Sequence, residues 1–169
     1  MGRDKAFLEI GGQPLWRRQM EKLRQLSPEQ IMVSGPPRNE WSDCEVIPDE
    51  VENAGPLAGV AAALEKCTTS HLVVLAVDLP IMTVDFLQLL LALCGENRGA
   101  VPRNADDFEP LAAVYPASCA FLANAALRSG DFSLQSFVRR GTSEKWLVER
   151  KISAVEAPLF TNLNTPADL

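Results

Sequence analysis

The sequence is poor in the residues from which most metal sites and nucleophilic centres are made. It has one histidine, His71, and four cysteines, Cys44, Cys67, Cys94 and Cys119, each more than twenty residues from the next. With no C-x-x-C pair, zinc ligation is not expected. With no Cys–His pair at useful spacing and no G-x-S-x-G turn, nucleophilic catalysis has no support. Positive charge is also scarce. Lys+Arg 16 against Asp+Glu 22 gives a net charge of −6, which argues against binding to a nucleic-acid backbone or an anionic membrane. The longest apolar run, around Phe86–Leu93, is broken by Gln88 and is too short to span a bilayer. Met1–Lys5 holds no apolar signal core, so a secretory leader is not expected. Ala6 stands where a myristoylation signal has Ser or Thr. These shortages predict a soluble, cytoplasmic protein with reduced thiols.

What is present describes a globular chain. Its 169 residues are 47% hydrophobic and 22% charged, enough for one domain, 1–169, with a core that needs no staple. Short apolar runs alternate with helix-period stretches, the pattern of an α/β layer fold. Strands are expected at Ala6–Ile10, Gln30–Ser34, Glu45–Ile47, Leu72–Val77, Ala100-Val101, Leu111–Tyr115 and Trp146–Val155. Helices are expected from Pro14 to Leu26, from Gly55 to about Cys67, from Val84 to Cys94 behind a Thr83 cap, over Ala117–Arg128 and over Leu134–Arg140. Leu72–Val77 is apolar without alternation, as in a strand covered on both faces and central to a mostly parallel sheet. An edge position with one solvated face would tell against that order.

Three features bear on chemistry. Asp78 follows the Leu72–Val77 strand, and Pro80 stops the ladder just beyond it. A carboxylate there lies in the crevice where open α/β sheets take ligands, and it suits Mg²⁺ shared with substrate phosphates. Gly55-Pro56-Leu57-Ala58-Gly59 opens a helix where a ligand can approach the backbone N–H groups. Asp4-Lys5, read alone, is a pair of surface charges, and His71 is a loop residue before a strand.

Taken in order, the motifs resemble a family. Met-Gly-Arg-Asp-Lys-Ala-Phe-Leu (1–8), Gly12-Gln13-Pro14-Leu15, Gly55–Gly59, Val77-Asp78-Leu79-Pro80, Pro110–Tyr115 and the ending Asn162-Leu163-Asn164-Thr165-Pro166-Ala167-Asp168-Leu169 follow one another as in the MobA-type nucleotidyltransferases. These are the molybdenum cofactor guanylyltransferases, a branch of the Rossmann-like NTP transferases. Ala167 stands where the family has Glu. The resemblance implies a three-layer α/β domain with a mostly parallel sheet, in which Lys5 binds nucleotide phosphates and Asp78 binds Mg²⁺. It implies that Asp49 contacts the nucleoside, that Ser34 faces the base side, and that Asn162 and Asn164 line the acceptor side. The implied reaction moves GMP from GTP to the phosphate of molybdopterin and releases pyrophosphate. Transient contact with cofactor-biosynthesis proteins or molybdoenzymes would follow.

Three alternatives stay open on sequence: a cytidylyltransferase acting on molybdopterin, a sugar-1-phosphate nucleotidyltransferase, and a non-catalytic relative that binds the cofactor or a partner enzyme. The family's loop reads L-A-G-G-x-S-x-R-M-G-x-D-K, and this chain supplies only its M-G-R-D-K end. The expectation is a native chain that is longer at the N-terminus by a strand and a Gly-rich loop, or else a chain inactive as written.

Overall fold

A computed structural model describes residues 4–42, 44–48 and 55–163. The Asp4 carboxylate accepts from the Ala6 N–H at 3.0 Å and winds Lys5–Phe7 into a single 3-10 turn. Gly11 and Gly12, at φ +59° and +76°, then fold β1 (Glu9–Ile10) back on β2 (Gln13–Pro14), using backbone angles that a side chain disfavours. The continuous strand expected over Ala6–Ile10 is therefore a turn and a hairpin. Helix α1 (Leu15–Arg24) follows, and β3 (Met32–Ser34) pairs in parallel with β4 (Glu45–Ile47). Next come α2 (Gly55–Lys66), β5 (His71–Leu75) and α3 (Val84–Ala92), whose first turn is capped by the Thr83 hydroxyl accepting from Phe86 N–H at 3.3 Å. The chain continues through β6 (Gly99–Arg103), β7 (Ala112–Pro116), α4 (Ala120–Arg128), α5 (Leu134–Ser143) and β8 (Leu147–Lys151).

Four strands form one sheet in the order β5-β7-β6-β8. The two-residue period of β7 divides its side chains between two layers. Ala113 and Tyr115 pack with Leu57 and Leu64 of α2 and with Phe137 and Val138 of α5, while Ala112 and Val114 pack with Phe86, Leu87 and Leu90 of α3. That is the expected three-layer α/β arrangement. Tyr115 is fully buried, and its hydroxyl donates to the Pro110 carbonyl at 2.8 Å. This bond gives the Pro110–Tyr115 motif a structural role, because a buried hydroxyl without a partner costs roughly 1–3 kcal/mol.

Two expectations about the sheet are corrected. Its pairings are mixed rather than mostly parallel: β5–β7 and β6–β7 run antiparallel, and only β6–β8 is parallel. Strand β5 is also not central among the described residues. It pairs only with β7, and all five of its residues are only part-buried. The unpaired edges of β5 and β3 line a cavity of about 1180 Å³, whose walls are completed by Gln19, Met20 and Leu23 of α1 and by Ala58, Gly59 and Ala63 of α2. The apolar run of β5 reflects helix layers over its faces, and apolar content carries no information about strand neighbours. Among the described residues no helix is long and apolar enough to cross a membrane.

Candidate active site

The site forms where the ends of distant segments are pulled together by a small apolar cluster. Leu8, Leu15 and Leu163 are buried against one another, with Val77 and Ile10 packed on them. Three of them neighbour a residue of interest: Lys5 lies one turn before Leu8, Asp78 follows Val77, and Asn162 precedes Leu163. Two backbone bonds fix the arrangement: Leu15 N–H donates to Leu8 O at 2.9 Å, and Leu163 N–H donates to Asp78 O at 2.9 Å. The Lys5 ammonium consequently stands 3.5 Å from the Asp78 carboxylate, with the two side chains 44% and 24% exposed. A contact of this length between part-exposed groups adds little stability, typically 0–1 kcal/mol, so the pairing serves the crevice more than the fold.

Ser34 ends β3 and lines the same cavity as Val77, the residue before Asp78. The G-P-L-A-G entrance is fitted to it, since a Cβ on Gly59 would collide with the Ser34 hydroxyl. Gly55, at φ +62°, opens α2 in the left-handed region that glycine tolerates. A latch holds the Lys5 turn to the loop after β3. Arg38 meets the Asp4 carboxylate at 2.5 Å, and its guanidinium lies 4.8 Å from the Phe7 ring centre and 5.7 Å from that of Trp41. The structure thus brings Lys5 against Asp78, sets Asn162 next to the Leu163 that bonds Asp78, and brings Ser34 to the adjoining wall. Asp49 and Asn164 lie outside the described residues.

Two participants were missed on sequence. Gln19 and Lys22 of α1 reach the turn that carries Asp78. The Gln19 amide donates to Ala76 O at 2.7 Å and to Leu79 O at 2.9 Å, while Lys22 Nζ donates to Gln19 Oε1 at 2.8 Å and to Pro80 O at 2.6 Å. Burial, with help from nearby Arg18, lowers the Lys22 pKa to about 8. A signal was available: Gln19 falls four residues after Leu15 and four before Leu23, a polar residue on the apolar stripe. The expected loop histidine instead opens β5, where its Nε2 is 3.0 Å from Gly95 O. None of the four cysteines is in a disulfide; Cys119 is buried and the others half-buried.

Among the described residues no three His, Cys, Asp or Glu side chains gather into a cage. The donor set at the strand end is one part-exposed carboxylate beside a lysine. This suits a hard divalent cation that takes its remaining oxygens from water and substrate phosphates.

A three-layer α/β domain with an acid at a strand end, a lysine against it and a glycine-bounded helix entrance defines a nucleotidyltransferase of Rossmann-like fold. Residues 1–146 match the MobA-like NTP transferase domain, and the chain belongs to that family. A probable molybdenum cofactor guanylyltransferase of Opitutus terrae is 36% identical over 99% of this chain and 86% of its own length. One from Pelotomaculum thermopropionicum is 32% identical over 100% of this chain and 83% of its own. Among solved structures, molybdopterin-guanine dinucleotide biosynthesis protein A of Archaeoglobus fulgidus superposes with a TM-score of 0.74 at 25% identity, over 99% of this chain and 87% of that one. The likeness extends in fold to a 2-C-methyl-D-erythritol 4-phosphate cytidylyltransferase of Thermus thermophilus, with a TM-score of 0.69 at 16% identity, over 97% of this chain and 89% of that one. These likenesses uphold the Rossmann-like class that the edge position of β5 had called into question. Transferases of this family work with a divalent metal.

Proposed function

We propose that the protein is a cytoplasmic molybdenum cofactor guanylyltransferase that transfers GMP from GTP to the terminal phosphate of molybdopterin. The observation that carries this reading is the Lys5–Asp78 contact at 3.5 Å, at the end of β5. It puts one cation and one anion where a triphosphate and its metal would be shared. The names borne by relatives across nearly the whole chain support the choice of base and acceptor. An oxygen of the molybdopterin phosphate attacks the α-phosphorus of GTP in line, the bond to the β-phosphate oxygen breaks, and pyrophosphate leaves. No covalent enzyme intermediate is required, so the protein's part is positioning and charge neutralisation.

Lys5 binds the phosphates, Asp78 holds Mg²⁺, Ser34 and Asp49 take the nucleoside side, and Asn162 and Asn164 the acceptor side. When bound, Mg²⁺ offsets the negative charge of the phosphate oxygens. Catalysis then needs about one metal and one or two cations, which fits a chain of net charge −6. We also propose that the cavity between β3 and β5 receives a further strand, contributed by residues preceding Met1. Two strand edges that are unpaired among the described residues and face one cavity support this.

The test is pyrophosphate release from each nucleoside triphosphate in the presence of molybdopterin, with calorimetry on the nucleotides alone. GTP is expected to bind most tightly, Asp78→Asn to abolish turnover with the fold intact, and Lys5→Ala to weaken triphosphate binding. A preference for CTP would move the protein to the cytidylyl reaction. Undiminished turnover in Asp78→Asn would remove that residue from the chemistry.

A further inference from the structure

We infer that Gln19, with Lys22 beside it, is the positioning residue that fixes the Asp78 turn and thereby sets how tightly the turn takes a divalent cation. The inference rests on the reading of Asp78 as the cation's protein ligand. Gln19 is 5% exposed, the one amide or charged side chain in the buried set among the described residues. Its carboxamide uses both N–H donors on carbonyls that bracket Asp78, those of Ala76 and Leu79. Its oxygen accepts from Lys22 Nζ, which also donates to Pro80 O. From the opposite side, Leu163 N–H holds Asp78 O at 2.9 Å. The carbonyls of residues 76, 78, 79 and 80 are thus all engaged, and the Asp78 carboxylate is turned out toward Lys5.

The chemistry of the site requires an amide at position 19. A carboxylate there would face two carbonyl oxygens with no donor to offer. An apolar side chain would leave both carbonyls buried without a partner. Only a group with two N–H donors and an acceptor spans Ala76, Leu79 and Lys22 at once. A residue that merely filled space in α1 would not reach across the ends of the one turn that carries the acid. Partners of this indirect kind change metal affinity by roughly 10–100-fold, because they hold a ligand in the geometry it needs.

The test titrates Mn²⁺ into the full chain with GTP present, following free Mn²⁺ by its paramagnetic resonance, and compares wild type with Gln19→Leu, Lys22→Met and Asp78→Asn. Gln19→Leu is expected to weaken Mn²⁺ binding about tenfold, Lys22→Met less, and Asp78→Asn most. Thr83→Ala serves as a destabilised variant whose side chain makes no bond to the turn, and its Mn²⁺ affinity is expected to stay at the wild-type value. A folded Gln19→Leu protein that binds Mn²⁺ as wild type does, while Asp78→Asn does not, overturns the inference and leaves the cation reading standing. Asp78→Asn with wild-type affinity overturns both. Should Gln19→Leu not fold, Lys22→Met decides: unchanged affinity overturns the inference, and weakened affinity at intact fold supports it.

Discussion

Glu156 joins a single residue's protonation to the shape of the site. Its carboxylate receives both Arg150 nitrogens at 2.6 Å, together with the Ser153 N–H at 2.8 Å and hydroxyl at 2.6 Å. The Arg150 bonds first, and the Ser153 bonds after them, pull its pKa from 4.5 down to about 2. Arg150 in turn lies 5.3 Å from the Phe86 ring centre, and Phe86 meets Phe160 edge-on at 5.3 Å. The chain from Glu156 to Phe160 is therefore anchored just before Leu163 reaches Asp78. Because the folded pKa lies below the unfolded one, the stabilisation is complete above pH 4.5 and is lost as pH falls toward 2. Glu156→Gln is expected to lower the melting temperature at pH 7, with the gap to wild type closing between pH 4.5 and 2. A gap of constant size across that range would show that the carboxylate's charge plays no part. At this scale the sequence was readable wherever a residue's chemistry needs one neighbour in the chain. Asp78 before Pro80 announced itself, whereas Gln19 acts through carbonyls some sixty residues away, a separation that only the fold closes.

Helix α3 shows what an element owes to its cap. Thr83 lies outside the helix with extended backbone, and its hydroxyl satisfies the Phe86 N–H that the first turn leaves unpaired. Behind it, Phe86, Leu87 and Leu90 cover one face of the sheet and continue to Leu79 and Met82, which follow Asp78. Thr83→Ala is expected to cost about 1 kcal/mol and, for a domain of this size, roughly 2–4 °C of melting temperature. Equal melting of variant and wild type would mean that packing alone holds the first turn. This helix was legible because its cap and apolar stripe agree locally, although it ends at Ala92, two residues short of the expected Cys94. Strand β5 was legible as a strand but not in its position. Apolar side chains report which faces are covered, while pairing depends on segments such as β7, some forty residues further on. Lys5–Phe7 was misread for a similar reason: one carboxylate on Asp4 outweighed an apolar run too short to hold a strand.

At the scale of the whole molecule, a cavity separates β3 and β4 from the main sheet. Among the described residues, strands β3 and β5 each pair on one edge only, and both turn their other edge to a space of about 1180 Å³ between α1 and α2. Water can satisfy the N–H and C=O groups there, but the apolar side chains of Met32, Val33, Leu72 and Val74 then line wetted space. A strand inserted between them would form hydrogen bonds on both sides, each adding about 1 kcal/mol net, and would also bury those side chains. Several kcal/mol is a large share of the roughly 5–15 kcal/mol that a domain has. On the proposal above, a chain extended at its N-terminus by a strand and loop is expected to melt roughly 10 °C higher than residues 1–169 alone. The melting curve does not say where the extension binds, and amide exchange does. Alternate amides of Met32–Ser34 and His71–Leu75 point into the cavity's edges. These should become protected in the extended chain, while the amides of β6 and β7, already paired, should change little. If the proposed strand enters and carries a loop toward Lys5, the GTP affinity of the extended chain should rise with that protection. If the extended and short chains melt together and exchange these amides at equal rates, no strand enters, and the cavity belongs to some other ligand.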